Sequence, residues 1–99
     1  MINLKWGLLG LVVAKPVPLI IDTDMGFDVD DVGSVCLGNA LMDLGEADIL
    51  AVVHDTGYYY GIGAVSVINH YYGHDKIALG AYKGQFGKKN WQSNQNRYG

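Results

Sequence analysis

The sequence predicts an α/β fold, the β-α-β-α-β portion of a doubly wound, mostly parallel sheet. Three observations carry this. Two unbroken apolar runs, "LII" at 19–21 and "ILAVV" at 49–53, lack polar alternation, as strands covered on both faces do. Each is followed by a helix-like segment closed by a glycine, Gly45 or Gly73. The connections are short, which favours right-handed crossovers between parallel strands.

Taken in order, Pro16 and Pro18 exclude a regular ladder before Leu19, so the first strand runs from Leu19 to about Thr23. The first helix covers Asp30 to Leu44: Asp30 and Asp31 suit its N-terminal end through the helix dipole, and Gly45 stands where a C′ residue belongs. This helix is apolar on more than one face, and Gly33 and Gly38 weaken its propensity, which points to close backbone approach. The second strand is Asp48 to His54. Ile62, Val65, Ile68 and Tyr72 then recur at three- and four-residue steps, giving a helix over Gly61 to Tyr72. "KIALGAY" at 76–82 supplies a third strand, and the Asn/Gln-rich stretch 85–99 has no period and reads as an irregular tail.

Composition narrows the function classes. With 49% hydrophobic and 17% charged residues, 99 residues describe one small globular domain and argue against disorder. The net charge is -3 and the cations are scattered, with only Lys88 and Lys89 adjacent, so nucleic acid is not an expected partner. Cys36 is the single cysteine and reads as a small apolar residue; no intramolecular disulfide is possible. Residues 1–17 form a possible signal or N-terminal extension: Lys5 precedes the apolar stretch Trp6 to Val13, and Val12 with Ala14 offers small residues for cleavage. An ordinary apolar terminal element fits equally, so localisation stays open between cytoplasmic and secreted. The stretch is too short to span a bilayer, so no membrane is expected. The α/β segment proper is 18–84.

The chemistry concentrates in "LIIDTDMGFDVDD". Asp22, Asp24, Asp28, Asp30 and Asp31 fall at the carboxyl end of the first strand, the edge at which open α/β sheets bind ligands. Crowded carboxylates repel one another, and a hard divalent cation with oxygen ligands relieves this. The alternative is a solvated acidic loop with Asp30 as helix N-cap. An EF-hand fits poorly, because Gly33 occupies the twelfth position, where that loop needs Glu.

"IIDTDMGFDVDDVGSV", followed by "ILAVVHDTG" and "LGAYKG", resembles the N-terminal part of the inosine-uridine-preferring nucleoside hydrolases, over roughly Pro18 to Gly84. The resemblance implies purine or pyrimidine salvage: a Ca2+-bound water hydrolyses the N-glycosidic bond of a ribonucleoside, without a covalent intermediate. By position, Asp24 matches the calcium-binding general base, Asp31 the other early calcium ligand, and Asp22 a ligand or a residue beside the metal. Asp30 matches the residue that grips ribose hydroxyls. Met25 stands where many members have Pro, and two extra residues follow Gly26, so Asp28 is an alternative for the ribose. His54 falls near the substrate region, beside the alternative of a hydrogen-bonded structural histidine at a strand end. His70 and His74 read as surface or capping residues, and Tyr58, Tyr59 and Tyr60 as loop anchors or a base-stacking surface.

The later ligands and the leaving-group acid of that family have no counterpart in the matched stretch. Half a doubly wound unit also leaves an apolar face or edge of its sheet uncovered. The expectation is therefore an incomplete hydrolase, inactive alone, completed by a missing C-terminal half or by homo-oligomers. Two other readings stand beside it. "LIIDTD" also fits a haloacid-dehalogenase-type phosphatase, with Asp22 as nucleophile and Asp24 as acid/base around magnesium. A non-catalytic remnant binding a cation or a partner is the third.

Overall fold

The computed structural model describes residues 14–26, 28–58 and 60–83. Its elements are β1 (Val17–Thr23), α1 (Asp30–Asp43), β2 (Ala47–His54), α2 (Tyr60–Tyr71) and β3 (Ala78–Ala81). The strands form one parallel sheet in the order β1-β2-β3, so the α/β reading with β-α-β-α-β order holds and is consistent with part of a doubly wound fold. Of the expected extension at 1–17, residues 1–13 lie outside the described residues and Val17 belongs to β1; the tail at 85–99 also lies outside them. No helix among the described residues is long and apolar enough to cross a membrane.

β1 begins two residues earlier than the sequence implies and contains Pro18. The reason is directional. Val17 N–H donates to the Glu46 carbonyl at 2.9 Å, so the next residue turns its missing N–H away from β2, toward the edge that pairs with no strand among the described residues. A register shift between Leu19 and Ile20 leaves Leu50 without a partner on β1, since Leu19 pairs with Ile49 and Ile20 with Ala51. This extra residue inverts the alternation of β2. Ala47 and Ile49 are buried before it; Val52 and His54 are buried after it.

Both helices end in the same way. Gly45 (φ 71°) and Gly73 (φ 78°) adopt the left-handed conformation that each stop requires. After α2, Gly73 N–H donates to the His70 carbonyl (2.9 Å) and His74 N–H to that of Asn69 (2.8 Å), the paired closure expected of a C′ glycine. The helices lie on one side of the sheet. Val35 of α1, Val65 of α2 and Val52 of β2 meet there, each fully buried, with Met25, Ile49 and Ile77 around them. Each such valine contributes on the order of 1.5–3 kcal/mol.

A buried polar chain ties the helices together. Asn39 Nδ2 donates to the Val35 carbonyl and to Asn69 Oδ1, both at 2.9 Å, while Asn39 Oδ1 lies 2.7 Å from His74 Nδ1. His74 Nε2 reaches Asp43 at 2.9 Å. His74 therefore does more than the capping expected of it, because it joins the end of α2 to α1. His70 is the exposed member of the pair, bonded to Asp75 at 2.7 Å.

The opposite face of the sheet is uncovered among the described residues. Ile20 (65% exposed) and Leu50 (52%) project there, beside the partly exposed Val53. Exposed single residues on the outer helix faces, such as Leu37 and Val67, are ordinary by comparison.

Candidate functional site

Register places Thr23, His54 and Ala81 side by side at the carboxyl edge of the sheet. The chain leaves this edge toward the N-termini of α1 and α2, so loop carboxylates converge on one rim. Thr23 points to the helix side and is buried. Its hydroxyl donates to Asp31 Oδ1 at 2.6 Å and accepts the Met25 N–H at 3.2 Å. One side chain thus fixes both the loop after β1 and the first turn of α1.

Asp31 in turn approaches Asp24. The Asp31 carboxylate holds the Asp24 carboxyl above its ordinary pKa, and partial burial and the Asp55 charge add to the effect. Asp28, Asp30 and Asp31 form a second grouping, each offering a carboxylate oxygen, with these atoms within 4.8 Å of one another. Asp31 belongs to both. Asp28 and Asp30 are exposed.

The N-cap position of α1 belongs to Val29, which makes no side-chain cap, and Asp30 is the first helical residue. The expectation of Asp30 as an N-cap is therefore corrected. Its carboxylate sits at the positive end of the helix without serving a backbone N–H as a cap.

Asp22 occupies a different environment. It is exposed and pairs in register with Val53, on the face of the sheet away from α1. Neither it nor Asp24 is among the carboxylates grouped with Asp31, which are those of Asp28 and Asp30, so of the three expected metal ligands only Asp31 belongs to that group. His54 is 1% exposed, with Nε2 donating to the Met25 carbonyl at 3.1 Å and 3.3 Å from Thr56 Oγ1. It buttresses the loop that carries Asp24. Gly61 sits directly against this contact: a Cβ there would overlap the His54 imidazole and the Met25 carbonyl.

Asp55 is the acidic residue that motif reading passes over. Its N–H donates to the Thr23 carbonyl at 3.1 Å, which sets its charge beside Asp24 across the ends of β1 and β2. The available signal is positional, a carboxylate one residue past the central strand. Among the described residues, both ion pairs, His70–Asp75 and His74–Asp43, lie away from this rim. A cleft of about 510 Å³, lined by Met42, Ile49, His74, Lys76 and Ile77, contains none of the rim carboxylates.

Such a rim offers hard oxygen donors, mutual repulsion that a cation offsets, and one carboxyl with enhanced affinity for a proton. Comparison with models of known families, with curated proteins and with solved structures finds no match to this chain.

Proposed function

We propose that the rim binds a divalent cation, calcium on the nucleoside-hydrolase resemblance, and serves the hydrolysis of N-glycosidic bonds in ribonucleosides. The observation that carries this reading is the grouping of the Asp28, Asp30 and Asp31 carboxylates, with oxygens within 4.8 Å of one another, beside Asp24, whose carboxyl feels the Asp31 charge. Their donor set fits a hard cation, which when bound would supply a water of lowered pKa. Asp24 and Asp31 would hold the ion, with Asp24 as the carboxylate that could accept a proton from water. Asp28 or Asp30 accepts hydrogen bonds from ribose hydroxyls, charge-assisted and therefore strong. Asp22, on the far side of β1, has no contact in this scheme, although the motif aligns it with a metal-side residue.

Calcium titration by calorimetry, followed by titration of inosine and uridine with and without calcium, tests the proposal. The expected result is saturable calcium binding and nucleoside binding that requires calcium, both lost in Asp24→Asn and Asp31→Asn and retained in Asp48→Asn. Calcium binding without any calcium-dependent nucleoside binding would leave a cation site and remove the hydrolase reading. No calcium binding at millimolar concentration would remove both.

A further inference from the structure

We propose that His74 is a pH-operated latch between the carboxyl ends of α1 and α2, closed on Asp43 when the imidazole carries both protons and released from it when the imidazole carries one. The count of donors carries this. The Val35 carbonyl can only accept, so the Asn39 amide nitrogen faces it and Asn39 Oδ1 is the atom left for His74. Nδ1 therefore donates to Asn39 Oδ1 at 2.7 Å, while Nε2 donates to the Asp43 carboxylate at 2.9 Å. A neutral imidazole has one N–H, and only the imidazolium serves both acceptors.

The surroundings favour that charge. His74 directly follows Gly73 at the end of α2 and reaches Asp43, the last residue of α1, so the negative ends of both helix dipoles meet at this ring. Asp48 of β2, and Asp75 and Lys76 of the turn before β3, line the same cleft as His74. Three carboxylates thus face the ring against one ammonium. Tyr72 of α2 stacks on the imidazole, with centroids 6.4 Å apart and planes 20° apart, and its phenol is neutral near neutral pH. His70 lies on the exposed side, bonded to Asp75.

Burial decides which bond opens. Asn39 is fully buried, so its Oδ1 has no water to replace a lost donor, whereas the Asp43 side chain is 53% exposed and hydrates when released. The last proton accordingly stays on Nδ1. As pH rises through the range in which imidazoles lose their charge, the end of α1 is freed from His74 while the buried amide chain stays intact.

Imidazole-nitrogen NMR of the 15N-labelled full chain, from about pH 5 to about pH 8, tests this directly. At the acid end both His74 nitrogens should be protonated; at the alkaline end Nδ1 should keep its proton and Nε2 lose it. Urea denaturation supplies the second measurement. The ratio of the folding constants of the parent and His74→Gln should be several-fold larger at about pH 5 than at about pH 8. Asp43→Asn should shrink that difference, and His70→Gln should leave it as it was. Three results in the parent chain alone overturn the proposal: a neutral His74 at the acid end, a proton retained on Nε2 in place of Nδ1 at the alkaline end, or both protons retained throughout. A parent-to-variant ratio that does not change with pH, or a change that persists in full in Asp43→Asn, also overturns it.

Discussion

The Thr23 hydroxyl lies 2.6 Å from Asp31 Oδ1 while accepting the Met25 N–H, so one small side chain locks the acidic loop to the first turn of α1. Thr23→Val keeps the shape and removes both bonds. The Met25 N–H is then left without its buried acceptor, and a cost of about 1–3 kcal/mol is expected, with Thr23→Ser retaining most of the stability. Urea denaturation of the two variants measures this. Equal losses in Val and Ser would place the effect in packing rather than in the hydroxyl.

The raised pKa of Asp24 makes stability depend on pH in an unusual direction for a carboxylate. A folded-state value above the unfolded one contributes stability below the unfolded pKa, and this is lost as pH rises through the folded value. The cause is the Asp31 charge first, then burial, then Asp55. In chelator, Asp24→Asn should therefore melt at a higher temperature than the parent at pH 7 and at a similar temperature near pH 3. Calcium should raise the parent and leave the variant unmoved. Thermal melts across pH with and without calcium decide it; a variant less stable than the parent at pH 7 in chelator would contradict the repulsion.

Gly61 and Gly63 are two residues apart on α2 and should respond oppositely to alanine. A Cβ at Gly61 meets the His54 ring and the Met25 carbonyl, backbone that cannot move aside cheaply, whereas nothing lies within 4 Å at Gly63. Gly61→Ala should cost roughly 1–3 kcal/mol through overpacking. Gly63→Ala should stabilise by up to about 1 kcal/mol through helix propensity. Circular dichroism melts suffice, and a stable Gly61→Ala would mean that α2 does not approach the site loop this closely.

The order of elements was legible because β1 and β2 are each built on a continuous apolar run and each helix ends at a glycine that must take positive φ. Three features were not legible, for different reasons. Pro18 sits within a ladder because its neighbour's N–H points inward to Glu46, which depends on which edge of β1 pairs with β2. The bulge at Leu50 changes which β2 residues are buried, although the run "ILAVV" carries no mark of it. At the site, the aspartates stand out by density, yet density does not separate Asp22, on the open face, from Asp31, which Thr23 draws in. Asp55 is drawn beside Asp24 only by the pairing of β1 with β2, a contact that no local motif encodes.

The buried amides yield the last prediction. Asn39 serves three partners, the Val35 carbonyl, Asn69 Oδ1 and His74 Nδ1, whereas Asn69 contributes one bond to this chain through its oxygen and leaves Nδ2 without a partner. Removing Asn39 takes the partner of Asn69 Oδ1 and of His74 Nδ1, although His74 keeps Asp43 through Nε2; removing Asn69 costs Asn39 only one of its bonds. Asn39→Ala should thus destabilise more than Asn69→Ala, by about 1–3 kcal/mol for each polar group left buried and unpaired. Because the two share a hydrogen bond, the double variant should lose less than the sum of the singles. A double-mutant cycle by chemical denaturation measures that coupling. Additive losses would mean that the helices are held together by the Val35–Val65 contact alone and that the amide chain is incidental to it.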